Sequence, residues 1–271
     1  MNIRNQFLLG QYRPGDSYLH RLDPRTKIGM VLAVMVAALI GKTVVFSILS
    51  VAVLLGLLLS CRLGWRLIAR NLRPVVWFIL FTALFHLLFS GRDDPEIALS
   101  IGSLAVTKTG AAMALAYSAR ILIFVLATFI LSLTTSPVAI SEGIVSLLKP
   151  LRWLKVPVYD LGMILFIALR FIPVLADEIE TIRKAQYIRG MDASRSLRGR
   201  LKRATALVLP VFFSALRRAD ELSVAIETRG YRSGRPRSSL HPLRFGRQDG
   251  VVFGLTALAL ILVISAREMI R

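Results

Sequence analysis

Four apolar runs occupy the first half of the chain and limit the folds that it can adopt. They cover residues 28–40, 44–60, 74–89 and 110–133. With its flanking residues, each run approaches the ~20 residues that an α-helix needs to cross ~30 Å of hydrocarbon. The chain is 55% hydrophobic and has a mean hydropathy of +0.63, which is more apolar than an ordinary soluble domain. The sequence therefore predicts an all-α polytopic membrane protein.

The distribution of charge predicts the side of the membrane on which each connection lies. The net charge is +19, with 35 Lys and Arg against 16 Asp and Glu. Residues 1–27 and the segment 61–73 are basic, whereas the link 91–96 carries three acids and one arginine. Because cytoplasmic loops are enriched in Lys and Arg, we expect four crossings with the N-terminus inside.

The segment before the first run carries a signal for the start of a helix. Asp23 followed by Pro24 is typical of an N-cap and the first helical position. Arg25 and Lys27 stand where the first apolar run begins. This end of the run is therefore predicted to be cytoplasmic.

The second half of the chain has a different character. The run 156–175 is apolar and long enough to cross, and the run 204–216 is shorter and interrupted by Pro210. If both crossed, the strongly basic segment 177–203 would lie outside, against the usual charge bias. We therefore expect that neither run crosses and that both are long, half-buried helices against the bundle or in the inner interface, bent at Pro173 and Pro210.

These patterns divide the chain into four predicted segments, with about five transmembrane helices in all. The last apolar run, 251–265, is expected to be the fifth crossing. The segments are an N-terminal cytoplasmic part at 1–27, a four-helix transmembrane block at 28–133, a cytoplasmic module of long amphipathic helices at 134–248 and a C-terminal transmembrane helix at 249–271.

One pattern of twelve residues occurs twice in the cytoplasmic module. The copies are IETIRKAQYIRG at 179–190 and ADELSVAIETRG at 219–230. In both, apolar residues at helical spacing form a stripe that ends at the arginine. The paired positions are Glu180 with Asp220, Ile182 with Leu222, Ala185 with Ala225, Arg189 with Arg229 and Gly190 with Gly230. The repeat predicts two helices that pack along one face and present a terminal arginine.

Two interpretations of the Arg-Gly endings follow from the residue types. Glycine after a helix accepts left-handed dihedral angles, and arginine in the last turn complements the helix dipole, which explains a single copy. Arginine also offers a rigid fork of donors that pairs with carboxylates. Two copies in one basic segment favour docking to two similar partners, either a dimer or two homologous subunits.

The residues around both copies resemble a known family. The stretches 169–192 and 207–232, together with the early segment PGDSYLHRLDPRTK at 14–27, are similar to the transmembrane coupling component of energy-coupling factor transporters, the EcfT/CbiQ family. The resemblance covers nearly the whole chain. The two helices that end in Arg-Gly are its most specific part.

The resemblance implies an architecture and a set of partners. The chain would be one subunit of an ABC-type importer of micronutrients in a bacterial or archaeal cytoplasmic membrane. Two cytoplasmic ATPase subunits would bind ATP and Mg²⁺, while this chain would bind no cofactor itself. A separate small membrane subunit would capture the substrate, and the N-terminal pattern is similar to that of vitamin-type members. Long coupling helices would cross like an X near the inner face.

The resemblance also implies roles for particular residues. Arg189 and Arg229 match the family's two motif arginines, which sit in grooves on the ATPases. The family's usual motif is Ala-Arg-Gly, whereas Ile188 and Thr228 precede the arginines here. The implied coupling residues are Ile188, Arg189, Gly190, Thr228, Arg229 and Gly230. The implied supporting positions are Glu180, Ala185, Asp220, Ala225, Pro173 and Pro210.

Two other functions are compatible with parts of the sequence. An intramembrane lipid-modifying enzyme would need polar residues that converge in the bundle, for which His86 and Arg120 are the candidates. Each also has a structural interpretation, His86 in a hydrogen bond between helices and Arg120 either extended towards the membrane surface or paired within the bundle. A membrane-tethered nucleic-acid binder would use the basic segment 232–247, which has few aromatic residues.

The motifs of common catalytic sites are incomplete. Gly41-Lys42-Thr43 is similar to the end of a phosphate-binding loop, but Val36 stands where that motif requires glycine. Three scattered histidines and the single cysteine, Cys61, make no metal-binding pattern. We therefore predict that the chain is not an enzyme.

Overall fold

The computed structural model describes residues 15, 17–41, 44–60, 65–90, 97–101, 104–190, 196–234 and 245–269. These residues form two compact units. The bundle unit contains the described residues of 15–136 and 245–269, and the arm unit contains those of 137–234. The division of the chain into four functional segments stays a prediction.

The bundle unit is helical except for one pair of short strands. Its helices are α1 (Tyr18–Arg21), α2 (Pro24–Ile40), α3 (Val44–Ser60), α4 (Trp65–Phe89), α5 (Lys108–Thr134) and α9 (Arg247–Met269). The prediction of an all-α membrane protein is thereby confirmed, with one local addition. Strands β1 (Ile97–Ile101) and β2 (Leu104–Thr107) pair antiparallel between α4 and α5.

Helix α5 forms the centre of the bundle unit. Ile123, Leu126 and Ile130 recur on one face at helical spacing and are almost completely buried. They belong to one apolar cluster with side chains of α2 and α3. At its start, the Thr107 hydroxyl accepts a hydrogen bond of 3.1 Å from the backbone N–H of Gly110, so that Thr107 caps the helix.

The predicted start of α2 is confirmed. The Asp23 carboxylate accepts the backbone N–H of Arg25 at 2.9 Å, and Pro24 is the first helical residue. Lys27 is buried at 3% exposure, and its ammonium donates to the carbonyl of Thr134 at 3.0 Å. This contact satisfies a carbonyl at the C-terminal end of α5 that has no partner within the helix.

Among the described residues, three helices contain stretches that are long and apolar enough to cross a membrane. These stretches are Leu72–Phe89, Lys108–Thr134 and Val158–Ile188. The first two contain the predicted crossings 74–89 and 110–133. The third contains most of the apolar run 156–175, which the charge pattern predicted to lie outside the membrane core. By length and composition alone, this stretch is able to cross a membrane. The number of crossings and the side of each connection stay predictions.

The arm unit consists of α6 (Pro137–Leu147), a 3-10 helix (Lys149–Leu154), α7 (Val158–Ile188) and α8 (Leu197–Thr228). Helix α7 packs against both α6 and α8. Pro173 and Pro210 lie inside continuous helices, where each removes a backbone donor. The predicted long helices are therefore present, and the bend at each proline stays a prediction.

Candidate functional site: two Arg-Gly helix ends

The first Arg-Gly sequence forms the end of α7. Arg189 follows the last helical residue with φ −73° and ψ 10°, and Gly190 turns the chain with φ +78°. The backbone N–H of Gly190 donates to the carbonyl of Tyr187 at 3.1 Å. This bond ties the residue after the cap to the last helical turn.

The second Arg-Gly sequence ends α8 with the same backbone geometry. Arg229 has φ −80° and ψ 7°, and Gly230 has φ +71°. The Gly230 N–H donates to Glu227 at 2.9 Å, and the Tyr231 N–H donates to the carbonyl of Ile226 at 3.1 Å. The two bonds together make a Schellman motif, so the sequence repeat is also a repeat of structure.

Backbone conformation explains the two glycines better than lack of space does. A Cβ atom placed on Gly190 or Gly230 would meet no atom within 4 Å. A non-glycine residue would still be strained there, since the left-handed region disfavours a Cβ atom by ~1–2 kcal/mol. Glycine therefore fixes the direction in which the chain leaves each helix.

The two copies also share one pattern of exposure. We call residues 179–190 the first arm and residues 219–230 the second arm. Ile182 and Leu222 are half-buried, whereas both motif arginines and the residues immediately before them are exposed. The predicted stripe is thus confirmed at its centre, but its members Ile179 and Ala219 are exposed. Each arm presents an exposed arginine at the end of a partly packed helix.

The supporting residues named from the sequence have different surroundings. Glu180 is half-buried, whereas Ala185, Asp220 and Ala225 are exposed. Lys184, whose side chain is mostly exposed, lies 3.0 Å from Glu180 one turn away on the same helix face, and an ion pair of this kind contributes little to stability. This pair supports the helix locally and does not connect the two arms.

The connection between α7 and α8 is made by residues that the sequence did not single out. Arg218 Nε lies 3.3 Å from Glu178 Oε2, and the hydroxyl of Ser214 donates to Glu178 Oε1. Glu178 and Arg218 are 40 residues apart, the same offset that relates Arg189 to Arg229. The two helices therefore meet at equivalent positions of the repeat. Opposite charges at equivalent positions were the available sequence signal.

Two polar side chains of the bundle unit, Arg120 and His86, contact other groups of the protein. Arg120 donates to the carbonyls of Ala38 at 2.8 Å and Gly41 at 3.3 Å, at the C-terminal end of α2. The prediction that Arg120 pairs within the bundle is confirmed. His86 Nδ1 lies 2.9 Å from the carbonyl of Thr82 in its own helix, and its ring lies 4.3 Å from the ring of Tyr117. The predicted hydrogen bond between helices is replaced by a ring contact.

The described residues contain no group of three or more His, Cys, Asp or Glu that could hold a metal ion. Several residues considered for catalysis or metal binding lie outside the described part of the chain. These are Lys42, Thr43, Cys61 and His241. Among the sites considered from the sequence, the two Arg-Gly ends are therefore the ones whose geometry the described residues show in most detail.

Sequence comparisons cover nearly the full chain. The profile of the family described as cobalt transport protein, CbiQ, matches residues 15–240. A relative from Bacillus subtilis (strain 168), named energy-coupling factor transporter transmembrane protein EcfT, is 37% identical over 96% of this chain and 98% of its own. The chain belongs to the EcfT/CbiQ family. Two further relatives with the same name come from Acidaminococcus fermentans, at 38% identity over 95% of each chain, and from Brevibacillus brevis, at 40% identity over 94% of this chain and 96% of its own.

Family membership agrees with the long apolar helices of the described chain. The EcfT/CbiQ relatives are named as transmembrane proteins of transporters, and this chain carries three described stretches suited to the membrane. It is therefore a membrane protein of a transport family. The matched region also spans both Arg-Gly ends, although the match alone gives no role to any residue.

Proposed function

We propose that the chain is the transmembrane coupling subunit of an energy-coupling factor importer. Its role is to transmit the ATP-driven motion of two ATPase subunits to a separate substrate-binding membrane subunit. One observation carries this proposal. The two Arg-Gly ends share backbone geometry and exposure, and they project from helices that meet at equivalent residues.

The geometry of the ends suits docking to two similar partners. Arg189 and Arg229 are exposed beyond half-buried positions of the same helix, which leaves each guanidinium available to a groove on another subunit. A guanidinium offers planar, bidentate pairing with carboxylates, which a single-point charge does not. Two similar ends therefore match two similar receiving sites, one on each ATPase.

Packed helices provide the means of transmission. When ATP binding draws the two ATPases together, each groove moves and carries its helix end with it. The contact of Glu178 with Ser214 and Arg218 joins the helices, so that movement of one end is passed to the other helix. Rigid-body shifts of packed elements are an established form of such coupling. The displacement then reaches the substrate-binding subunit, which reorients and releases its cargo.

The remaining parts of the proposal concern partners and place. ATP and Mg²⁺ bind to the ATPase subunits, and this chain is not catalytic. The separate capture subunit selects the micronutrient, for which we propose a vitamin. The chain lies in a bacterial cytoplasmic membrane with several crossings and its N-terminus inside. The positive-inside bias of its basic segments supports that orientation.

Charge reversal at the arm ends tests the coupling role. Arg189→Glu and Arg229→Glu are made singly and together in the full chain, co-expressed with two ABC-type ATPase subunits and a capture subunit. ATPase retention is the amount of ATPase subunit that co-purifies with the chain. We expect each single change to reduce it about tenfold or more, since truncating one partner of a buried charge pair costs ~2–5 kcal/mol. The double variant should lose retention and uptake.

Matched controls separate docking from bulk charge. Arg183→Glu and Arg217→Glu make the same change at exposed positions on the same two helices, and both should keep retention within about twofold. Full uptake by the double arm variant would refute the proposal. Lipid turnover by the purified chain would favour an intramembrane enzyme, and salt-sensitive retention of DNA would favour a nucleic-acid binder.

A further inference from the structure

The chain that follows the second arm is bound to the beginning of α7. Asp160 lies in the first turn of that helix. Its Oδ1 accepts the hydroxyl of Tyr231 at 2.8 Å and the backbone N–H of Gly234 at 3.2 Å. Its Oδ2 accepts the hydroxyl of Ser233 at 2.6 Å. Both carboxylate oxygens are thus used by one short segment, Tyr231–Gly234.

This segment is joined to Arg229 without a flexible connection. Gly230 lies between Arg229 and Tyr231, and the Tyr231 N–H also closes the Schellman motif on Ile226 at 3.1 Å. The same residue therefore holds the end of α8 through its backbone and Asp160 through its side chain. Any shift of Tyr231 relative to Asp160 changes the direction of the second arm.

The helix dipole alone could explain why an acidic residue, Asp160, lies in the first turn of α7. Negative charge there is stabilised by the helix dipole, with no need for partners elsewhere in the chain. That explanation does not account for the three donors of residues 231–234. It also does not account for Gly234, whose φ of +75° is a conformation that few other residues adopt easily. The segment is folded around the carboxylate.

We propose that Asp160 is a positioning residue for Arg229. Asp160, Tyr231, Ser233 and Gly234 form a clamp that sets the direction of the second arm, and this role rests on the coupling function proposed above. With the clamp, polar contacts of the described residues hold α8 and the segment after it to α7 at two places. One is the contact of Glu178 with Ser214 and Arg218, and the other is the clamp.

The clamp adds a polar contact to helices that already pack against each other. Because it lies at the end of α8, away from Glu178 along both helices, it opposes bending and rotation of that end relative to α7. Loss of the clamp therefore widens the range of arm positions, and fewer molecules present both arginines at the spacing that two ATPases require.

The variants separate the clamp from the helix dipole. Asp160→Ala removes the carboxylate, whereas Tyr231→Phe with Ser233→Ala removes two donors and leaves the charge at the helix start. Asp160→Asn keeps an acceptor oxygen and should give partial rescue. Asp177→Ala, at an exposed position on the same helix, is the matched control.

The first measurement is independent of any partner. The chain has one cysteine, Cys61, so spin labels are introduced through Arg183→Cys and Ser223→Cys in a Cys61→Ser background, in lipid nanodiscs. Both labelled positions are exposed, one on each arm. We expect Asp160→Ala and the Tyr231→Phe/Ser233→Ala pair to broaden the distance distribution to a similar degree, with no change for Asp177→Ala. An unchanged distribution in either clamp variant overturns the proposal.

The second measurement asks whether the clamp acts through Arg229. Retention of the ATPase subunits should fall about tenfold in Asp160→Ala, which corresponds to ~1.4 kcal/mol. The same change should add nothing in an Arg229→Glu background and should add its full effect in an Arg189→Glu background. Equal additional losses in the two backgrounds overturn the positioning role.

The two measurements distinguish failure of the clamp from failure of the coupling function. If Arg229→Glu keeps full retention, the coupling function is wrong, and the label distances still decide whether the clamp holds the arm. If Arg229→Glu abolishes retention while Asp160→Ala broadens the distances and keeps retention, the positioning role alone is wrong.

Discussion

Glu178 and Arg218 face each other across α7 and α8 with 3.3 Å between Oε2 and Nε, and they are also equivalent residues of the sequence repeat. A crossing at equivalent positions gives the two arms the same number of residues beyond the contact. Arg189 and Arg229 each stand eleven residues after their crossing residue. The two arginines therefore lie at equal distances along their helices from this pair.

Exchanging the charges of this pair tests its role. We expect Arg218→Glu to reduce ATPase retention severalfold, because it places two carboxylates in contact. Combining it with Glu178→Arg should restore much of that loss. The side chains are 19% and 43% exposed for Glu178 and Arg218, so the effect of the ion pair itself on the free energy of unfolding is limited to ~1 kcal/mol. Additive losses in the double variant would contradict a direct contact.

The positive φ angles predict the effect of replacing the motif glycines. Gly190→Ala and Gly230→Ala should each destabilise the helix end by ~1–2 kcal/mol, and asparagine should be better tolerated than alanine. Hydrogen exchange of the last helical turn and ATPase retention both report the change. Gly254→Ala is the control, because that glycine also has open space around it but lies within α9. Equal tolerance of alanine at all three positions would contradict the assignment.

Arg120 is expected to stabilise the bundle unit. Arg120→Ala removes a donor from the carbonyls of Ala38 and Gly41, which should lower the free energy of unfolding by ~1–3 kcal/mol. Thermal unfolding in detergent measures the change, with the exposed Arg73→Ala as control. A stable Arg120→Ala protein that has lost uptake would instead indicate a functional role in the membrane.

Lys27 gives a further prediction in the bundle unit. Lys27→Met keeps the aliphatic stem but leaves the Thr134 carbonyl without the ammonium at 3.0 Å. We expect a loss of ~1–3 kcal/mol in the free energy of unfolding, measured by denaturant titration in detergent. Lys184→Met should leave it nearly unchanged, because the ion pair of that lysine lies at the surface and its side chain is mostly exposed. Equal losses in the two variants would refute the structural role of Lys27.

The features predicted well from sequence are those that depend on neighbouring residues. The helix start at Asp23 and Pro24 and the ends at Gly190 and Gly230 follow from local backbone preferences. The extent of α5 follows from a long apolar run. Each signal is complete within a few turns of chain, so no knowledge of tertiary contacts was needed.

The missed features are contacts between distant residues. Asp160 lies in the apolar run 156–175, but its partners lie 71 to 74 residues later in the chain. Strand β1 was not predicted because it has only five residues, 97–101. So short an alternation of large and small side chains is a weak strand signal, and it follows an acidic link that was expected to be a solvated loop. Period and propensity do not specify which two segments pair, since pairing depends on the packing of the whole unit.

The equal spacing beyond the crossing has a mechanical meaning. Eleven helical residues span ~16 Å, so a rotation of α7 and α8 together, as one body, by about 10° about the crossing would displace each arginine by ~3 Å. Neither end would travel further than the other, although both belong to one continuous and asymmetric chain. A displacement of the same length at either ATPase would therefore turn the helix pair by the same angle, whether the two ATPases are identical or only similar.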